Sequence, residues 1–208
     1  MRVLIRAFLI SASIVLLPLK APAQTQANLR WWVQASPFVM QYHDDFEYAP
    51  GMGLQLALGR QWQSAYAGIL KFSCARPAQS FLWLDETHDL QTDWYGFQFG
   101  LRAHWPFDPH ARFHLFAEVQ AGWQYLHPHD LSLPGGTQGT ILISLPGAWK
   151  FSPAWAGGIN YRCLKQVAVF LQTEIGGLKI APRQLNALPP SPAWKPYSRL
   201  GVGAMILF

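Results

Sequence analysis

Charge is what this sequence has least of. Asp, Glu, Lys and Arg make up 13% of its 208 residues, about half the ~25% usual in a soluble domain. A water-facing surface built from so small a supply would be short of hydrated groups. Cysteine is almost missing too, with Cys74 and Cys163 alone, which excludes a disulfide-stapled scaffold. Neither follows position 23 directly, so a lipid-anchored cysteine is not indicated. Long apolar runs are absent after the first twenty residues: no later stretch reaches the ~18 apolar residues of a transmembrane helix. Zinc, EF-hand and phosphate-loop spacings are missing as well. No catalytic, cofactor or metal residue is assigned.

The N-terminal residues carry an export pattern. Arg2 and Arg6 precede the apolar run Ala7 to Leu17, and Ala21-Pro22-Ala23 supplies a small-x-small site before Gln24. The expectation is a signal peptide over 1–23 and one domain over 24–208. A retained membrane helix is the competing reading, opposed by Pro18, Lys20 and Pro22, which break the run early. Without Arg2, Arg6 and Lys20, thirteen basic residues face eleven acidic ones. The basic pI is thus partly a property of the signal and gives no case for nucleic acid.

Period-two alternation fills the remainder. Tyr95, Phe97, Phe99, Leu101, Ala103 and Trp105 alternate with Gly96, Gln98, Gly100, Arg102 and His104. Phe113 to Tyr125 repeats the pattern across a short turn containing Pro106 and Pro109. Similar runs occur at 29–40, 52–59, 66–73, 155–162, 167–176 and 199–208, giving eight strands. Connections near 61–64, 106–111 and 164–166 are short, whereas 41–50, 76–91, 127–150 and 179–196 are long. Short and long links in alternation are the habit of a membrane barrel with periplasmic turns and extracellular loops. The sequence therefore predicts an all-β fold, an eight-stranded antiparallel up-and-down transmembrane β-barrel.

The last strand alternates Leu200, Val202, Ala204, Ile206 and Phe208 with Arg199, Gly201, Gly203, Met205 and Leu207. A terminal strand of this kind ending in Phe resembles the assembly signal of bacterial outer-membrane barrels. Across the mature chain the pattern resembles the small OmpA/OmpX-type eight-stranded barrels. The resemblance implies an outer-membrane location, contact with outer-membrane lipid and lipopolysaccharide, delivery by the outer-membrane assembly machinery through the last strand, and a monomer.

Alternation alone also fits a soluble lipocalin-like barrel. The polar face decides between them, because it consists mostly of Gly, Ala, Gln, Asn and Ser. Such residues suit a crowded lumen better than a wet exterior. Lys71, Arg102, Glu118, Arg162, Glu174 and Arg199 fall on this inner face, where charges must pair or be hydrated. They are expected to form a structural polar network; an ion path or a catalytic carboxylate is the sharper alternative. His43, Asp44, Asp45 and Glu47 in the first loop, and Asp85, Glu86, His88 and Asp89 in the second, are solvated or hold cations. His127, His129, Asp130 and Ser132 occupy the third. The topology separates Cys74 from Cys163 by much of the membrane, so both are expected unpaired.

Three functions fit these features. The first is a non-enzymatic barrel with a structural or surface-interaction role through its loops. The second is a lipid A-modifying enzyme. Length and Gly-rich strands are similar to the lipid A 3-O-deacylase family, but its His-x-Ser-Asn signature is absent: His104-Trp105-Pro106 and His114-Leu115-Phe116 stand instead. No helix like that of the lipid A palmitoyltransferase precedes strand one. The third is a conduit for small hydrophobic solutes through a lateral gap, which strand glycines such as Gly96, Gly100 and Gly122 could open or could merely bend.

Overall fold

A computed structural model describes residues 30–42, 48–63, 65–107, 112–135, 139–144, 146–180 and 193–208. The expected signal over 1–23 lies outside them, as do His43, Asp44, Asp45 and Glu47 of the first loop. Among the described residues ten strands form in chain order: β1 Arg30–Tyr42, β2 Tyr48–Gln63, β3 Tyr66–Trp83, β4 Glu86–Pro106, β5 Phe113–Pro128, β6 Leu131–Pro134, β7 Thr140–Ile143, β8 Ala148–Arg162, β9 Val167–Ile180 and β10 Ala193–Leu207. Eight of them close a barrel in the order β1-β10-β9-β8-β5-β4-β3-β2, while β6 and β7 pair only with each other. Every neighbouring pair is antiparallel.

Closure depends on the chain's last residues. β10 lies against β1 from Trp32↔Leu207 to Tyr42↔Tyr197. At its end the backbone N–H groups of Trp31 and Phe208 each donate to the other's carbonyl at 2.9 Å. A closed ladder leaves no unpaired edge, the condition for strands to sit in hydrocarbon.

Side chains sort by parity as the alternation dictates. Leu54, Leu56, Phe72, Phe99, Leu101, Leu115, Leu171, Ile175 and Val202 point outward and are exposed; Gln34, Gln55, Lys71, Gln98, Arg102, Glu118, Gln172 and Glu174 point inward and are buried. A core of charges and amides beneath a skin of Leu, Phe and Val inverts a soluble protein. Lipid is the solvent that suits this exterior. The ten steps from Tyr95 to Trp105 on β4 span about 33 Å along the strand, or about 23 Å along an axis crossed at roughly 45°. That height matches the ~25 Å apolar band of known membrane barrels.

At the loop end the strands run further than alternation suggested. The second loop, expected over 76–91, is ladder almost to its tip: Ala78↔Gln91 continues to Trp83↔Glu86. Only Leu84 and Asp85 form the turn, with φ of 49° and 64°. Two left-handed residues make the tight turn whose twist suits a hairpin. Asp85, Glu86, His88 and Asp89 thus lie on a turn and a strand. Above the bilayer both faces are wet, so nothing forces apolar alternation there. The third connection likewise shrinks, because β5 reaches Pro128, β8 starts at Ala148, and the β6–β7 hairpin occupies part of the interval.

Candidate functional site

The lumen holds a column of charge. Arg102 on β4 pairs with Glu118 on β5, directly opposite it in the ladder. Glu118 also receives Lys71 from β3, and Lys71 lies 3.7 Å from Glu174 on β9. Glu174 then meets Arg199 on β10 at 3.1 Å, again directly across the ladder. The signs alternate along the column, Arg102, Glu118, Lys71, Glu174, Arg199. All five side chains are at most 3% exposed. A lone charge here would lack both water and partner; alternation supplies the partner.

Amides and hydroxyls complete the network. Gln120 donates through Nε2 to Glu174 at 3.0 Å and, at 3.4 Å, to Glu118. Arg102 Nη2 donates to Gln34 Oε1 at 2.8 Å, and Gln34 donates onward to Gln172 at 3.1 Å. The Tyr197 hydroxyl donates to Glu174 at 3.3 Å and lies 3.1 Å from the Ser152 hydroxyl. Strands β1, β3, β4, β5, β8, β9 and β10 are thereby tied across the lumen.

Apolar clusters flank the column at both ends. Toward the turns, Trp32, Ala57, Ile69, Ala168, Phe170 and Met205 pack together. Toward the loops, Phe38, Met40, Ala75, Trp94, Ala154, Leu178 and Tyr197 do the same. Each cluster stacks on the nearest arginine. The Arg102 guanidinium lies 4.2 Å from the Trp32 ring and 4.5 Å from Phe116. Arg199 lies about 5 Å from Phe38, Trp94 and Tyr197. Rings over a guanidinium cover its faces and leave its edge for hydrogen bonds.

Strand glycines make this filling possible. Trp32 sits opposite Gly59 and Phe38 opposite Gly53; Phe116 opposes Gly158; Tyr197 opposes Gly176 and Phe170 opposes Gly203. In each pair a Cβ on the glycine would strike the ring. The glycines are spaces for lumen rings, a purpose that neither bending nor a lateral gap had covered, and only the strand register exposes it.

Of the six inner-face residues singled out in the sequence, Lys71, Arg102, Glu118, Glu174 and Arg199 come together. Arg162 does not. It is the last residue of β8, half-buried at the rim, where its backbone N–H donates to Arg112 O at 2.8 Å. Alternation gives the side on which a residue faces but not its height in the barrel. Cys74 and Cys163 are both free and exposed.

A second polar group sits on the outer wall, just beyond Tyr95, Tyr125 and Trp149. Asp93 accepts from Arg76 Nε at 2.6 Å and lies 2.9 Å from His129 Nε2. Burial alone would raise the Asp93 pKa, but the hydrogen bonds and charges of His129 and Arg76 together hold it below its ordinary value. The sequence pointed to His129 but not to Asp93 or Arg76, which β3 and β4 bring beside it. Among the described residues no serine hydroxyl bonds to His129, and no group of three or more His, Cys, Asp or Glu side chains is arranged to hold a metal.

No protein-family model matches the chain, and no curated protein matches it. Solved structures do match. OprG from Pseudomonas aeruginosa superposes with a TM-score of 0.54 at 11% identity, over 86% of this chain and 96% of that one. Ail, the attachment invasion locus protein of Yersinia pestis, solved with the heparin analogue sucrose octasulfate, gives 0.53 at 13% identity over 86% and 99%. Neisserial surface protein A gives 0.52 at 12% identity over 85% and 96%. At such identities the likeness is one of fold: the chain is a closed, eight-stranded antiparallel barrel of the small outer-membrane type.

Proposed function

We propose that this protein is a non-conducting barrel of the bacterial outer membrane, acting as a structural or surface-contact protein through its loop-end strand extensions. The observation that carries the reading is the filled lumen. Apolar clusters flank both ends of a column in which each charged side chain has an oppositely charged partner, and this supports a lumen too full to serve as an open channel. Among the described residues the β3–β4 extension and the β6–β7 hairpin are the parts left to meet a partner, and Leu84, Ile141 and Leu142 are exposed on them. In this reading the turns face the periplasm and the hairpins face outward. The alternative of a lipid A-modifying enzyme has less support, because the His129–Asp93 pair is held by Arg76 rather than completed by a nucleophile.

Two measurements test it together. Purified protein in a planar bilayer should give no discrete conductance steps. An epitope inserted between Leu84 and Asp85 should be detected on intact cells, and one inserted after Leu164 only after permeabilisation. Conductance steps, or the reverse labelling, would overturn the proposal.

A further inference from the structure

At the turn end the outer wall is edged by aromatic side chains, Trp31, Trp62, Phe113 and Phe208 among them, all exposed, as a membrane interface favours. Arg60 stands in their midst. It is exposed, and Leu54, Leu56 and Leu58 precede it on the outward side of β2. A guanidinium at the foot of an apolar wall has hydrocarbon on one side and the headgroup layer on the other, and only the headgroups offer acceptors.

The strands on either side fix how Arg60 is presented. Directly across on β1 is Trp31, whose ring centre lies 5.1 Å from the guanidinium carbon. Directly across on β3 is Gly68. The β2–β3 ladder shifts register between Gln61 and Gln63, so Trp62 is the extra residue of a bulge, and a bulge re-aims its side chain. The Trp62 ring lies over Gly68, where a Cβ would come within 2.9 Å of it. Arg60 is thus bracketed by an indole on each neighbouring strand. A ring against a guanidinium takes up its face and leaves its N–H edge for hydrogen bonds. Among the described residues the Trp31 ring is the one partner of the Arg60 head.

The charge of this end points the same way. Arg112, Arg162 and Lys165 lie in or beside the β4–β5 and β8–β9 turns. Asp108, the one acid in the turn-end connections, falls outside the described residues, and every other acid outside the lumen sits in or beside a loop-end connection.

We propose that Arg60, between Trp31 and Trp62, binds the phosphodiester of an anionic glycerophospholipid of the phosphatidylglycerol class in the leaflet at the turn end. The two unesterified phosphate oxygens meet the guanidinium edge as a forked pair, and the acyl chains run along the side of β2 that carries Leu54, Leu56 and Leu58. A headgroup with an ammonium of its own competes with Arg60 for its phosphate and is repelled by the other bases of this end, so a net negative lipid fits best. That this leaflet is the periplasmic one rests on the orientation proposed above; the binding does not.

The test is native mass spectrometry of the refolded protein, released from micelles that hold phosphatidylglycerol and phosphatidylcholine in equal amounts. The wild type should retain one phosphatidylglycerol in preference to phosphatidylcholine. Arg60→Met should bind it about fivefold more weakly, equivalent to the roughly 1 kcal/mol that one basic residue gains at an anionic surface. Arg60→Lys keeps the charge without the fork and should lose less. Arg60 takes no part in the lumen network, so both variants should fold, which a heat-dependent shift in gel mobility will report. If Arg60→Met does not fold, Trp62→Leu, which removes one bracket, carries the comparison. Equal retention of the two lipids by the wild type, or an undiminished preference in Arg60→Met, overturns the site. Excess inorganic phosphate should leave the lipid in place; its release would assign the site to free phosphate and overturn the lipid. All these outcomes are independent of orientation, which the epitope labelling decides separately.

Discussion

At the scale of single residues, the lumen separates what parity tells from what register tells. Each inner charge falls on the correct side because a strand's period is two. Which charge meets which is a different matter. Glu118 serves Lys71 and Arg102 because β3, β4 and β5 are staggered as they are, and stagger leaves no trace in one strand's sequence. The consequences can be measured. Lys71 retains Glu174 if Glu118 is lost, whereas Arg102 has no second carboxylate. Glu118→Gln should therefore cost about 3–5 kcal/mol, the usual penalty for stranding a buried charge, in urea unfolding from lipid vesicles. Adding Arg102→Met should recover part of it. The ring-on-glycine pairs give a second expectation. Gly158→Val places a branched side chain where the Phe116 ring lies, and overpacking of that kind costs about 1–3 kcal/mol. The equivalent change at Gly157, whose Cβ position meets only Phe116 O at 3.6 Å, should cost much less in the same assay.

At the scale of elements, strands were legible wherever one side met lipid, and lost their signature where both sides met water. That is why the alternation of β4 is legible from Tyr95 although the strand begins at Glu86, and that of β8 from Trp155 although the strand begins at Ala148. Backbone pairing continues outside the bilayer because each bond passes to the next, and polar side chains do not oppose it. One such extension is held by the ionic group at Asp93. The pKa of Asp93 is lowered in the folded state, so its contribution is complete above the unfolded carboxylate value, about 3.9, and is lost as pH falls through the lower folded value. The His129 amide, which donates to Gln91 O at 2.9 Å across β4 and β5, reports on this. Its hydrogen exchange is compared after correction for intrinsic rates. Its protection should fall in acid below about pH 4. Asp93→Asn should show the weaker protection throughout and lose the acid step. A step of equal size in that variant would place the cause elsewhere.

At the scale of the whole molecule, polarity runs from the inside outward: a charged column, amides around it, a backbone cylinder, then aliphatic and aromatic side chains. No single strand has this order: β3, β4, β5, β9 and β10 supply the column, and all eight barrel strands supply the outer skin. Stability in lipid must then depend on direction, because adjacent residues of one strand face opposite surroundings. On β9, Leu171 is 49% exposed outward and Gln172 is 4% exposed inward. Leu171 pairs with Ile159 and Val202, between the two aromatic belts. A charge there faces hydrocarbon, for which Arg costs about 2–4 kcal/mol near the bilayer midplane and about 0–1 near the interfaces. Leu171→Arg should therefore destabilise the protein by the larger amount in reversible unfolding from vesicles. Trp149→Arg, a change in an outward residue at the belt itself, should lose far less. Water on the outer wall would remove the contrast, since Arg is at ease on a wet surface, and equal small losses at both positions would mean that the wall does not face lipid.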